Sequence, residues 1–383
     1  MELSAIARDR GHVRVLQHSI VAGLGTDRRL RGRAAGARRR AGALLAQTLA
    51  VLALAAAPAS ASTLVIEGAG EGHGVGMSQD GALGYAQHGW TDTAILAHYY
   101  SGTALGQAPA GHQVKVLVGA KVEKVPLERY VRGVVSAEMP SSWPAAALEA
   151  QAIASRTYAL TAEAGGSRFD VYSDTRSQMY RGVAAETAST NAAVAATAGQ
   201  VVTYAGQPAI TYYFASSGGM TEDVQNSFLG STPEPWLLGV ADAYETTASD
   251  WTRSISFASA TARLRNLVKG SLRGVEVLTR GASPRIVNAE VLGTRGATPV
   301  SGPELAARLG LGSTWAYFSV KSGTHLTREP DRSGRGPFTP FAPESPPLPA
   351  PAPTPGVQGG SSAPATAASN GVSSSATAGA EAR

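Results

Sequence analysis

The sequence predicts an α+β fold, a mixed sheet with packed helices. Two observations carry that reading. Stretches of helical period and stretches of alternating period follow one another in irregular order, without the βαβ rhythm of a doubly wound sheet. Helix-starting and helix-stopping residues fall where the period changes.

The elements follow in order along the chain. Thr63–Glu67 is a short apolar strand. Ser78–Gln87 and Thr91–Tyr100 read as two helices broken at Gly89, with Ser78 as an N-cap. Gln113–Gly119 alternates like a strand. Leu127–Glu138 is an amphipathic helix stopped by Pro140. Pro144–Ala162 is a longer helix, with Pro144 suited to its first position. Thr187–Ala198 is a helix ending at Gly199. Val201–Tyr204 and Ala209–Phe214 are expected to form a hairpin around Ala205-Gly206. Ser254–Phe257 is a strand and Thr261–Val268 is helical. Val275–Thr279 and Arg285–Leu292 form a second hairpin, Pro303–Leu309 is a helix, and Trp315–Val320 is the last strand.

Composition divides the 383 residues into three parts. Residues 1–61 read as a leader with an export signal. Arg38–Arg40 supply charge, Ala43–Ala57 an apolar stretch, and Ala59–Ala61 a small-residue cleavage site. The other reading of that stretch is an uncleaved membrane anchor, although it is short for a bilayer. Residues 62–325 are expected to form one domain. Residues 326–383, rich in Pro, then Ser and Ala, are expected to be a disordered tail. The formal charge of +5 misleads. Residues 1–40 hold ten of the 33 basic and three of the 28 acidic groups, which leaves 23 against 25. Nucleic-acid binding therefore has little electrostatic support. The chain has no cysteine. An exported form has no disulfides to lean on, and thiolate nucleophiles and cysteine-based zinc sites are excluded.

Several segments could carry chemistry. Glycines at 70, 72, 74 and 76 surround His73 and lead into Ser78-Gln79. This is neither a G-x-G-x-x-G loop nor a Walker loop. His73 could polarise a substrate oxygen, act as a base or ligate a metal, but no H-E-x-x-H pattern accompanies it, and the bland alternative is a hydrogen-bonded loop residue. The Gln79 amide suits hydrogen bonding to sugar hydroxyls or N-acetyl groups. Leu127, Tyr130, Val131, Val134 and Val135 form an apolar stripe, and Glu138 stands at its end. Partial burial there favours the protonated carboxyl. A carboxylic acid kept protonated near neutral pH can donate to a glycosidic oxygen. The bland alternative is a Glu at the edge of a helix end, where the dipole disfavours it. Gln151, Ser155 and Tyr158 share a stripe on the next helix. Arg156 lies beside it, either as a substrate contact or as a structural ion-pair partner. Ser216-Ser217-Gly-Gly offers backbone donors but is not a serine-hydrolase elbow.

Five blocks resemble the SpoIID/LytB family of sporulation-stage proteins that act on peptidoglycan. They are GEGHGVGMSQ at 70–79, VPLERYVRGVVSAEMPSSWPAAALEAQAIASRTYAL at 125–160, Tyr172-Ser-Asp174 through Gln178-Met-Tyr180, Ser216–Glu222, and Glu304-Leu through Leu309–Thr314. They are spread over most of the range 62–321. The family usually places the glycine block after the GLGST block, so the resemblance implies one domain in circularly permuted order. Asp80 stands where the family commonly has an aromatic residue. The resemblance implies that Glu138 is the catalytic acid. No cofactor is expected, and no metal, because no carboxylate cluster accompanies His73, His88 and His98. The resemblance further implies that His73, Gln79, Gln151, Arg156, Tyr158, Gln178, Ser216 and Ser217 contact substrate. The implied activity is a secreted, cell-wall-associated lytic transglycosylase acting on peptidoglycan glycan strands that lack stem peptides. The rival is a non-cutting enhancer of a cell-wall amidase, and a third reading is a hydrolytic muramidase. Membrane contact is expected only through an uncleaved signal anchor.

Overall fold

The computed structural model describes residues 62–245 and 249–334. The expected leader and export signal lie outside the described residues, as does the expected tail beyond 334. No helix among the described residues is long and apolar enough to cross a membrane.

The first half of the described chain builds a helical core. β1 (Thr63–Gly68) precedes the glycine segment and β2 (Met77–Ser78). α1 (Gln79–Gln87) and α2 (Asp92–Tyr99) are capped by Ser78 and Thr91, whose side chains accept from Gly81 N and Ala94 N. β3 (Ala104–Gln107), β4 (Gln113–Val118) and β5 (Lys121–Pro126) follow. Then come α3 (Leu127–Glu138) and α4 (Ala145–Thr161). Both start directly behind a proline, and neither has a side-chain cap. Pro144 is therefore the cap residue of α4 and not its first helical residue. β6 (Val171–Tyr172), α5 (Ala188–Ala196), β7 (Gln200–Tyr204), β8 (Gln207–Pro208) and β9 (Tyr213–Phe214) complete this part.

α3 shows why the core forms here. Leu127, Tyr130, Val131, Val134 and Val135 are all buried along one face. Each such side chain is worth about 1.5–3 kcal/mol when removed from water. They meet Leu148, Ala152 and Ile153 of α4, and Val114 and Val116 of β4. β4 pairs antiparallel with β5 and parallel with β6, whereas β7 lies between β3 and β8.

The second core belongs to the later elements. α6 (Val224–Ser227) leads to β10 (Trp251–Ser256) and α7 (Phe257–Leu264). β11 (Leu272–Arg280), β12 (Ile286–Gly293) and β13 (Gly296–Ser301) form an antiparallel meander. α8 (Gly302–Leu309), β14 (Ala316–Ser322) and β15 (His325–Arg328) close the chain. β1 lies between β10 and β14 in a four-stranded sheet, antiparallel to both. Leu64 and Ile66 of β1 pack with Phe318, Val275, Val291 and Leu305. The first strand and the last predicted strand are thus neighbours, with Thr63 opposite Lys321 and Gly68 opposite Ala316.

The α+β class holds, and three details change. The hairpin around Ala205-Gly206 closes on Gln207–Pro208, and Tyr213–Phe214 instead pairs in parallel with Met77–Ser78. The helix expected at Thr261–Val268 starts earlier, at Phe257, and ends as a single 3₁₀ turn. The boundary expected at 325 falls inside a hairpin. β15 pairs with β14, and Asp331 bridges to the buried Arg280 at 2.8 Å. All four β15 residues are exposed, so no apolar period announces that strand.

Candidate functional site

α3 delivers its last residue to the place where several loops meet. Met139 leaves the helix in extended conformation, which Pro140 behind it favours. Glu138, half-buried, is held at the end of the apolar stripe. Its Oε1 accepts from the Met179 backbone N–H at 2.6 Å and from the Tyr213 hydroxyl at 3.4 Å. Its Oε2 accepts from the Gln79 amide at 3.5 Å. Burial raises the Glu138 pKa above the usual carboxyl value, and the Met179, Gln79 and Tyr213 donors oppose that rise.

Buried polar side chains extend the network in two directions. Gln79 donates to the Gln151 side-chain carbonyl at 3.3 Å, and the Gln151 amide donates to Ser155 Oγ at 2.9 Å. Tyr213 donates to Gln178 Oε1 at 2.7 Å, and the Gln178 amide donates to Tyr130 Oη at 3.1 Å. Gln151 and Gln178 are almost wholly buried, so their amides orient neighbours and are not open to a ligand. Each strand pairing has a task here. The parallel register Met77↔Tyr213 and Ser78↔Phe214 brings Gln79 and Tyr213 to the same carboxylate from residues far apart in sequence. β6, paired with β4, starts the 173–180 loop that carries Gln178 and Met179.

Four of the expected site residues therefore converge: Glu138, Gln79, Gln151 and Gln178. Tyr158 stands at the margin, half-buried, hydrogen-bonded to Ser177, with its ring 6.0 Å from that of Tyr212. The other four are placed elsewhere. Arg156 is fully buried and makes a bidentate pair with Glu128, both contacts at 2.8 Å, plus a bond to the Gln200 carbonyl at 3.0 Å. Its position beside the Gln151 stripe turns it into the core, so it is the structural ion-pair partner. Ser216 and Ser217 both donate their hydroxyls to Glu245, which the Ser217 N–H also binds at 2.8 Å.

His73 is held by a different set of contacts. Its Nδ1 accepts from Val75 N at 3.1 Å, and the ring also bonds the Tyr213 backbone. It packs against Phe228 and Phe214, with ring centres 5.0 and 5.4 Å apart. Burial first, and then Arg285, pulls its pKa to about 4, so it is neutral at pH 7. With Ser227, Leu311 and Thr314 it borders a cavity of about 170 Å³ beside α8. Tyr213 and the Met179 N–H are the site members that the motifs did not single out. The run Tyr212-Tyr-Phe214 next to Ser216-Ser217 was the available signal for Tyr213.

The family model for SpoIID, described as stage II sporulation protein, matches residues 119–204. That span holds Glu138, Gln151 and Gln178. An uncharacterised protein of Brachyspira hyodysenteriae is 33% identical over 196 residues, 50% of this chain and 50% of that protein. Stage II sporulation protein D of Bacillus subtilis is 27% identical over 228 residues, 55% of this chain and 65% of that protein. The amidase enhancer of Bacillus subtilis is 34% identical over 141 residues, 37% of this chain and 19% of that protein. The chain thus spans from about half to just under two thirds of the first two relatives. A half-buried acid on an amphipathic helix inside an α+β fold, read with these matches, defines the class. The match over residues 119–204 and the similarity to stage II sporulation protein D and to the amidase enhancer support the resemblance to the SpoIID/LytB family.

Proposed function

We propose that this protein acts at the cell wall as a peptidoglycan lytic transglycosylase. The observation that carries the reading is Glu138, a half-buried carboxyl with a raised pKa, held by three donors at the end of an apolar helix face. Glycosidases of the usual kind place two carboxylates across the scissile bond. Among the described residues, Glu138 is the one carboxylate in this network. One carboxyl group suffices for intramolecular transfer. Glu138 donates its proton to the glycosidic oxygen as the bond from the muramoyl C1 breaks. The resulting carboxylate then takes the proton of the C6 hydroxyl of the same sugar as that oxygen bonds to C1. The products are a 1,6-anhydro end and a free hydroxyl, and no water is consumed. Acid–base help of this kind is worth on the order of 10²–10⁴-fold. The substrate is proposed to be glycan stripped of stem peptides, reached by a secreted, wall-associated protein.

A second reading has its own support. The similarity to a protein named amidase enhancer favours a wall-bound partner of an amidase that does not cut. Product mass spectrometry on denuded glycan separates the two. Anhydro-muramoyl ends from the wild type, lost in Glu138→Gln, are expected. Uncut glycan together with a faster partner amidase would favour the enhancer, and products with a reducing muramoyl end would mean hydrolysis instead.

A further inference from the structure

The tip between β11 and β12 reaches from the second core into the loops that feed the Glu138 network. Arg285 is almost fully buried there. It donates to the Met220 carbonyl at 2.8 Å and the Ser217 carbonyl at 3.0 Å. Gly74, at φ +86°, lies against it so closely that a Cβ would sit 2.5 Å from Arg285 Nε. Glu222 faces the same tip and has no exposed surface. It accepts from the Ala282 N–H at 2.8 Å, the Ser283 N–H at 3.1 Å and the Ser283 hydroxyl at 2.5 Å. Its own backbone N–H binds the Gly74 carbonyl at 2.7 Å. Burial pulls the Arg285 pKa to about 10, and the charges of Glu222 and Glu245 oppose that shift, so the guanidinium stays charged at neutral pH.

These contacts fix two loops at once. The 70–76 loop runs into β2 and then Gln79, whereas the 216–222 loop runs out of β9, which carries Tyr213. Gln79 and Tyr213 are the two side-chain donors on Glu138. An apolar residue at 285 could fill the same space, but it could not fix the positions of two loop carbonyls. We infer that Arg285 and Glu222 are positioning residues, a clamp from the second core that sets Gln79 and Tyr213 against Glu138. Both residues lie outside the 119–204 segment that the family model covers.

The role rests on the proposed acid chemistry, so its test uses one readout with glycan and one without. Arg285→Lys keeps the charge but cannot fork to both carbonyls. Ser283→Ala is the milder variant, removing one donor to Glu222. In hydrogen exchange, both are expected to speed amides in 70–79 and 213–222 while leaving α3 and α4 at wild-type protection. On denuded glycan, kcat should fall about 10- to 100-fold for Arg285→Lys through misplacement, with KM little changed. Losing the Gln79 and Tyr213 donors destabilises the Glu138 carboxylate. The acid then stays protonated to higher pH, and the basic limb of the kcat/KM profile moves up. A merely less stable protein would lower the profile without moving that limb. The inference is overturned if both variants keep wild-type exchange over 70–79, or if protection falls equally in α3 and α4. If the wild type leaves glycan uncut, the proposed activity fails instead, and the exchange pattern alone decides the clamp.

Discussion

Glu138 is pulled two ways, and the balance can be measured. Burial favours its neutral form and three donors favour its carboxylate, with burial the larger effect. Because its pKa is higher in the folded state, the folded protein holds that proton more tightly than the unfolded chain does. The group therefore favours folding below the ordinary carboxyl range, and that contribution is lost as pH rises through the raised value. Glu138→Gln keeps the shape and removes the titration. The Tm of the variant minus that of the wild type should accordingly be more positive at pH 7 than at pH 4 by calorimetry, while glycan cleavage is abolished. The opposite pH trend would mean that the carboxylate is the favoured form, and the acid role would lose its physical basis. Arg156 gives the contrasting case. Its side chain is fully buried, but that of Glu128 is 38% exposed. Breaking a fully buried pair costs about 3–5 kcal/mol. Solvent at Glu128 reduces that, so Arg156→Ala should cost about 2–3 kcal/mol in urea unfolding. Substrate affinity of the folded fraction should stay unchanged; a selective loss of affinity would return Arg156 to the binding surface.

Among the elements, those with strong period were legible and those held by distant partners were not. α3 has the bounds expected from its apolar stripe, Leu127 to Glu138. β5 escaped because its residues are mostly exposed and half of them are charged, and β15 because all of its residues are exposed. The pairing of β2 with β9 involves two residues from each strand, too few to show any period. The site divides along the same line. A motif fixes which residues recur, but the face on which they fall depends on packing. Gln79 turns toward Glu138 and Gln178 toward Tyr213, whereas Ser216 and Ser217 turn toward Glu245 and Arg156 into the core. α1 offers a test in which packing and propensity disagree. Helix propensity favours Ala over Gly by about 1 kcal/mol. A Cβ on Gly84, however, would sit 1.5 Å from the Tyr244 carbonyl oxygen. Gly84→Ala should therefore destabilise, by about 1–3 kcal/mol or more. A rise in Tm would show that α1 does not pack against residue 244 in solution.

At the scale of the whole molecule, the organising contact is the pairing of β1 with β14. It brings the two ends of the domain into one sheet, which is the adjacency that a permuted motif order requires. The glycine block can then precede the rest of the domain in sequence while Gln79 still reaches Glu138. The pairing also predicts a specific cross-link. The Ser62 and Ser322 hydroxyls are 2.8 Å apart although 260 positions separate them in sequence. Ser62 is anchored through its carbonyl to the Phe257 N–H at 2.9 Å, and Ser322 ends β14. Side chains facing each other across an antiparallel pair meet the spacing that a disulfide needs. The chain has no cysteine of its own, so a Ser62→Cys, Ser322→Cys double variant has a single pair to form. Oxidation should close it within one molecule, giving faster migration on a non-reducing gel. Closing so long a loop restricts the unfolded chain strongly, and about 2–4 kcal/mol of added stability is expected, reversed by reductant. Either single variant should show no such change. If the oxidised double variant forms only intermolecular dimers, or stays reduced where exposed thiols are oxidised, then β1 and β14 are not neighbours in solution. The route that brings the glycine block to Glu138 would then have to be rebuilt from different contacts.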